Sequence, residues 1–291
     1  MELPLVVGVD GSESSLRAVD WAVREAARHG VPLRLVYASL WERYEGTMPP
    51  FSHGRPSEQV MAEHIIASAA ERARLGNPDV KLSTDVLPED TESALLREGT
   101  EAFALVTGHR GRGELAGLLL GSVGLAVASR ARCPVIVVRG AQPNEQGTFG
   151  RVALGVGDAG EGSAAVAFAF REAEVRGGGL DALRAWRSPA RELPDFPTHQ
   201  AEAADPHGRE AERFLDDALR ATARDHPGVV VRRETREGTA RDALLDAATT
   251  ADLLVVGARR RRGSFGMHLG PVNHAVLHHS ACPVAIVPQA S

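Results

Sequence analysis

The residues best placed to do chemistry lie between Gly108 and Ser122, Gly-His-Arg-Gly-Arg-Gly-Glu-Leu-Ala-Gly-Leu-Leu-Leu-Gly-Ser. Glycines at 108 and 111, a nine-residue interval, and then Gly121-Ser122 give a backbone that can come close to a ligand, with N–H donors at the far end. That spacing points to a phosphate cradle. Arg110 and Arg112 add two positive charges beside it, and His109 can touch phosphate or face solvent. A Gly-x4-Gly-Lys-Ser/Thr loop does not occur, and Gly-x-Gly-x-x-Gly does not follow a strand, so neither a Walker loop nor a dinucleotide fingerprint is implied. Ser122 lacks the Gly-x-Ser-x-Gly setting of a nucleophile. Asp10 is the one local carboxylate, and nothing in the pattern demands turnover.

The elements that must hold this loop follow from the apolar periodicity. Leu5–Val9 is a continuous apolar run, as in a parallel strand buried on both faces. Leu16–Ala27 repeats apolar residues at helical spacing up to Gly30. Strands are expected at 33–38, 80–87, 103–107 and 134–138, and helices at 59–75, 91–97 (capped by Thr91) and 118–129, with a long loop over 41–57. Five strands joined by helical crossovers make an α/β parallel sheet.

Composition sets the limits. The chain has 291 residues, 43% hydrophobic and 24% charged, with a formal net charge of −5, which is room for two domains and no basic excess to attract nucleic acid or an anionic membrane. No apolar run approaches the roughly 18 residues of a membrane span, and the start lacks a basic leader, so a cytoplasmic protein is expected. Cys133 and Cys282 each precede Pro-Val and read as buried free thiols. The histidines, including His278-His279, show no ligand spacing backed by Cys or carboxylate. Trp21, Trp41 and Trp186 fall at element ends, where packing explains them.

The chain then repeats itself. Gly155 lies 147 residues after Gly8, while Gly257 and Cys282-Pro-Val each lie 149 after Gly108 and Cys133-Pro-Val. Such constant offsets mark a duplicated domain. The domains are expected at 1–140 and 151–291, joined by a polar linker, 141–150. The second copy reads as strands 152–156, 180–185, 229–234, 253–256 and 284–287, helices 163–176, 209–224, 240–248 and 272–279, and a Pro-rich loop over 188–206.

Gly-x2-Gly-x9-Gly-Ser after the fourth strand, Gly8-Val-Asp10-Gly-Ser after the first and Cys-Pro-Val-Ile-Val-Val at the end resemble the universal stress protein family, in two tandem copies over nearly the whole chain. The resemblance implies a doubly wound, Rossmann-like fold with strand order 3-2-1-4-5 in each copy, and the ligand at the crevice between strands one and four. It implies ATP binding in the first copy. Asp10 would hydrogen-bond the nucleoside, the Ala38 backbone would read the adenine, and Gly108, Arg110, Gly111, Gly121, Ser122 and Val123 would form the phosphate and ribose loop. With the flanking Val9, Thr107, His109, Arg112 and Gly124, these make the candidate nucleotide-binding set. Gly124 stands where family members often carry Ser or Thr, which removes one hydroxyl contact. A helix N-terminus supplies about half a positive charge, and with the two arginines Mg²⁺ could balance the rest of ATP.

The second copy departs at these positions. Gly157 replaces Asp10, Arg260 replaces Gly111 and Pro271 replaces Ser122, so the C-terminal half is expected to bind ATP weakly or not at all. Arg259 to Arg262 read as a solvated or ion-paired surface rather than a nucleic-acid patch. The expectation is an ATP-binding stress-response regulator, with a slow ATPase and a nucleotide-independent interaction module as alternatives. The copies are expected to pack as an intrachain pseudo-dimer through strands 134–138 and 283–287, and pairing of two chains stays open.

Overall fold

A computed structural model describes residues 2–40, 57–111, 120–157, 163–188, 206–258 and 269–289. Trp41, Arg112, Arg259 to Arg262 and most of the two long loops lie outside them. The chain forms two compact units, the first ending at Arg139 and the second beginning at Gly140.

In the first unit the order is β1 (Leu5–Gly8), α1 (Glu13–His29), β2 (Leu33–Ala38), α2 (Ser57–Gly76), β3 (Leu82–Leu87), α3 (Thr91–Glu98), β4 (Ala104–Gly108), α4 (Ser122–Arg130) and β5 (Val135–Val138). All strands are parallel, in the order β3-β2-β1-β4-β5. Leu5, Val6 and Val7 are all but fully buried, as a central strand covered by helices on both faces requires. Edge strand β3 instead is mostly open to solvent, with Leu87 alone buried, and it starts at Leu82, two residues later than the periodicity places it. Helix α1 is capped by Ser12, whose hydroxyl accepts from Ser15 N at 3.2 Å, and it turns Ala18, Val19, Ala22 and Ala26 to the sheet with Trp21 buried alongside.

Two local expectations are corrected. The cap of α3 is Asp90, whose carboxylate accepts from Ser93 N at 3.0 Å. The carboxylate one residue earlier takes the orphan donor, and this leaves the Thr91 hydroxyl to donate to Ala38 O at 3.3 Å. Helix α4 begins at Ser122 rather than 118, since Gly121 is its N-cap.

The second unit repeats the plan with β6 (Arg151–Gly155), α6 (Ser163–Val175), β7 (Gly179–Trp186), α7 (Pro206–Asp225), β8 (Val230–Glu237), α8 (Ala240–Ala247), β9 (Leu253–Ala258), α9 (Pro271–His279) and β10 (Val284–Pro288). Its strands are parallel in the order β8-β7-β6-β9-β10, so each unit has the 3-2-1-4-5 order. Helix α7 takes in Pro206, because a proline in the first turn lacks only an N–H that has no helical acceptor.

The segment read as a linker is not irregular. Helix α5 (Gln142–Gln146) precedes β6, and the buried Asn144 Nδ2 donates to the carbonyls of Ala248, Thr249 and Ala251 at 3.2, 3.2 and 2.8 Å. The buried Asp252 carboxylate accepts from Phe149 N and Arg151 N at 2.9 and 3.2 Å. Five residues are too few to show a helical period, so this element is set by tertiary hydrogen bonds. Both cysteines are buried free thiols, and burial pushes the Cys133 thiol up to about 11.

Candidate functional site

In the first unit β1 is flanked by β2 on one side and β4 on the other. The chain leaves the C-terminal ends of β1 and β4 in opposite directions, which opens a crevice there. One pocket of about 380 Å³ fills it, lined by Val9, Asp10, Ala38, Thr107, Gly108, Arg110, Gly111, Gly121, Ser122, Val123 and Gly124. These are the sequence candidates except His109 and Arg112. Arg112 lies outside the described residues.

Ser14 stitches the two loops together. Its Oγ accepts from Arg110 N at 3.2 Å and lies 3.0 Å from His109 Nδ1. With Arg110 N donating into that hydroxyl, its own proton is available to Nδ1. The ring also bonds the Val138 backbone. His109 is therefore part of the wall's support, not a lining residue. Burial, reinforced by Arg139, Arg110 and Arg17, lowers its pKa to about 4, so the ring is neutral at pH 7. The same three guanidinium groups set a positive potential at the end of β4.

Two glycines are required by close approach. A Cβ on Gly108 would stand 2.6 Å from the carbonyl carbon and oxygen of Ser14, and one on Gly111 would stand 2.7 Å from Asp10 Oδ2. Asp10 is oriented by accepting from Ser12 N at 2.9 Å through Oδ1. Gly121 N donates to His109 O at 2.8 Å and pins the far end of the loop, and helix α4 starts without a side-chain cap, so its first N–H groups border the pocket. The Thr107 hydroxyl is buried without a hydrogen-bond partner. A carboxylate, an orphan hydroxyl, an exposed guanidinium and a helix N-terminus around one cavity suit a ligand with hydroxyls at one end and anionic oxygens at the other.

Sequence reasoning did not pick Gly8, Ser15, Tyr37, Thr91 and Leu95, which also line this pocket. Thr91 was legible only as a helix cap. Its place here depends on β2 and β3 pairing with Ala38 opposite Leu87.

The second unit has a crevice at the same place, about 190 Å³ in volume. The pairing of Leu154 with Val255 corresponds to that of Val7 with Val106, so the chain offsets are structural equivalences. Gly157 stands where Asp10 does, and its carbonyl accepts from Arg184 Nη1 at 2.6 Å. The Arg184 guanidinium also lies over the Phe214 ring, 3.9 Å from its centroid. Asn273, where the first unit has Gly124, donates to Gly257 O at 2.9 Å. Helix α9 opens on Pro271, which has no N–H to offer.

Fold and sites define a chain of two doubly wound α/β units, each with a crevice at the topological switch point. The sequence profile of the Universal stress protein family matches residues 3–139 and again residues 148–288, and the chain belongs to that family. Universal stress protein Rv2005c of Mycobacterium tuberculosis is 33% identical over 98% of this chain and 97% of its own length. A universal stress protein of Archaeoglobus fulgidus, of known structure, superposes with a TM-score of 0.70 at 17% identity, over 99% of this chain and 98% of its own. A universal stress protein solved in complex with cAMP is 29% identical over 47% of this chain and 97% of its own, with a TM-score of 0.37. Among the described residues no helix is long and apolar enough to cross a membrane.

Proposed function

We propose that the first unit binds an adenine nucleotide, ATP with Mg²⁺, and that occupancy of this one crevice is the signal the protein carries in a stress response. The observation that supports the reading most is the room kept beside Asp10. Gly111 leaves the carboxylate reachable, opposite an uncapped helix start and the orphan Thr107 hydroxyl. Asp10 and Thr107 would take the nucleoside, the Ala38 backbone the base, and Arg110 with the N–H groups of Ser122 and Val123 the phosphates. Asp10 is the one carboxylate among the described lining residues, so binding is a better reading of the site than hydrolysis. The second unit, with Gly157 and Pro271, does not bind the nucleotide in this pose.

The test is thermal melting of the full chain with and without ATP–Mg²⁺. A ligand at about 100 times its Kd stabilises by roughly 2.7 kcal/mol, or about 5–10 °C for a unit of this size. Gly111→Arg, which writes the second copy's residue into the first, abolishes the shift. No shift in the wild type rejects nucleotide binding, and an equal shift in both proteins rejects this site.

A further inference from the structure

The crevice of the second unit is more than a damaged copy of the first. Three polar positions of the first pocket, Asp10, Thr91 and Thr107, are occupied at the equivalent places by Gly157, Ala240 and Val256. Each of these three exchanges removes a hydrogen-bonding group, while Asn273 in place of Gly124 adds an amide to the lining whose Nδ2 is taken up by Gly257 O at 2.9 Å. The cavity persists at about 190 Å³, and an apolar cavity of about 150 Å³ is enough to hold a benzene ring.

The other amide of the lining has an unpaired donor. Gln289, just past β10, lines the cavity at 7% exposure, and its Nε2 has no hydrogen-bond partner. Its backbone is fixed by donation from Gln289 N to Ala258 O at 3.0 Å. The first copy has Gly140 at this position, so the amide is an addition, not a remnant. A buried amide donor without an acceptor is costly unless something supplies one.

We propose that this crevice is a separate binding site for an uncharged, flat heteroaromatic molecule of one or two rings carrying a hydrogen-bond acceptor. The rings lie between Leu244 and Val272, and the acceptor meets Gln289 Nε2. No carboxylate is among the described lining residues, and with the proline at the start of α9 this argues against a nucleoside triphosphate. This assignment is independent of nucleotide binding in the first unit.

Quinoline is a fitting probe, and naphthalene is its isostere without the acceptor. With the full-length chain labelled at Leu and Val methyls, quinoline shifts the Leu244 and Val272 resonances saturably and binds about five- to tenfold more tightly than naphthalene, the worth of one neutral hydrogen bond. Gln289→Met, of similar shape but without the donor, brings the two affinities together. Ala240→Phe fills the cavity and abolishes both, with the remaining methyl spectrum reporting that the fold is kept. The proposal is overturned if quinoline at millimolar concentration leaves those methyls unmoved, if Gln289→Met keeps the preference for quinoline, or if ATP displaces quinoline.

Discussion

Gly111→Ala tests how the proposed site works, because among the described residues the added methyl group meets only the Asp10 carboxylate. Gly111 does not have a left-handed φ, so alanine fits the backbone. Its Cβ would stand 2.7 Å from Asp10 Oδ2, about 0.7 Å inside ordinary contact, and the next nearest atom is Asp10 Cγ at 3.8 Å. The methyl group displaces the carboxylate, whose other oxygen accepts from Ser12 N at 2.9 Å, and the ligand loses its acceptor. A hydrogen bond to a charged group is worth about 1.5–3 kcal/mol, so Asp10→Ala weakens ATP about 10- to 100-fold, and Gly111→Ala about tenfold. If both act through the same carboxylate they do not add. The double variant binds about as poorly as Asp10→Ala alone, with a coupling energy of about 1–2 kcal/mol. Calorimetric titration of the four proteins with ATP–Mg²⁺ measures it. Additive losses would show that Gly111 serves the ligand directly and refute the reasoning, and unchanged binding in Asp10→Ala would refute the carboxylate's role altogether.

Ser122→Pro copies the second unit's helix start. Proline is tolerated in that turn, so the melting temperature without ligand holds while ATP affinity falls about five- to tenfold for the lost N–H. Thr107→Val removes a buried hydroxyl that has no partner, so urea unfolding without ligand shows a gain of up to about 1 kcal/mol while calorimetry shows weaker ATP binding. His109, held at about 4 against 6.5 in the unfolded chain, takes up its proton first in the unfolded state. Its contribution is complete above pH 6.5 and is lost as pH falls toward 4. Discounted for solvent screening this is about 1–2 kcal/mol, and His109→Gln flattens that part of the urea-derived stability profile between pH 6.5 and 4.

The parallel strands were legible because their residues are apolar on both faces, as Leu5 to Val7 and Leu253 to Val256 are, and because the offsets between Gly8 and Gly155 and between Gly108 and Gly257 fix the order twice. The pocket was legible where a type is forced by space. Glycine at 108 and 111 follows from contacts of 2.6 and 2.7 Å, and that requirement shows in any sequence that keeps it. Residues that serve through a long-range partner were not legible. His109 sits in the loop by sequence, yet much of its environment comes from Ser14, Val138, Arg139 and Arg17, far along the chain. Thr91 looked like a cap because Asp90 beside it is one. The reading of Gln289 needed β10 to be placed next to β9 before its amide could be set against any cavity.

The bonds made by Asn144 also decide where the chain can be cut. A fragment begun at Arg151, the first residue of β6, would strip the amide from the carbonyls of Ala248, Thr249 and Ala251 and remove Phe149 N from the Asp252 carboxylate. Those oxygens lie in the turn that feeds β9. A protease site or fusion junction is therefore better placed ahead of Ala141 than after Gly150, and an isolated C-terminal half that fails to fold from residue 151 would report on that missing clasp rather than on the half itself.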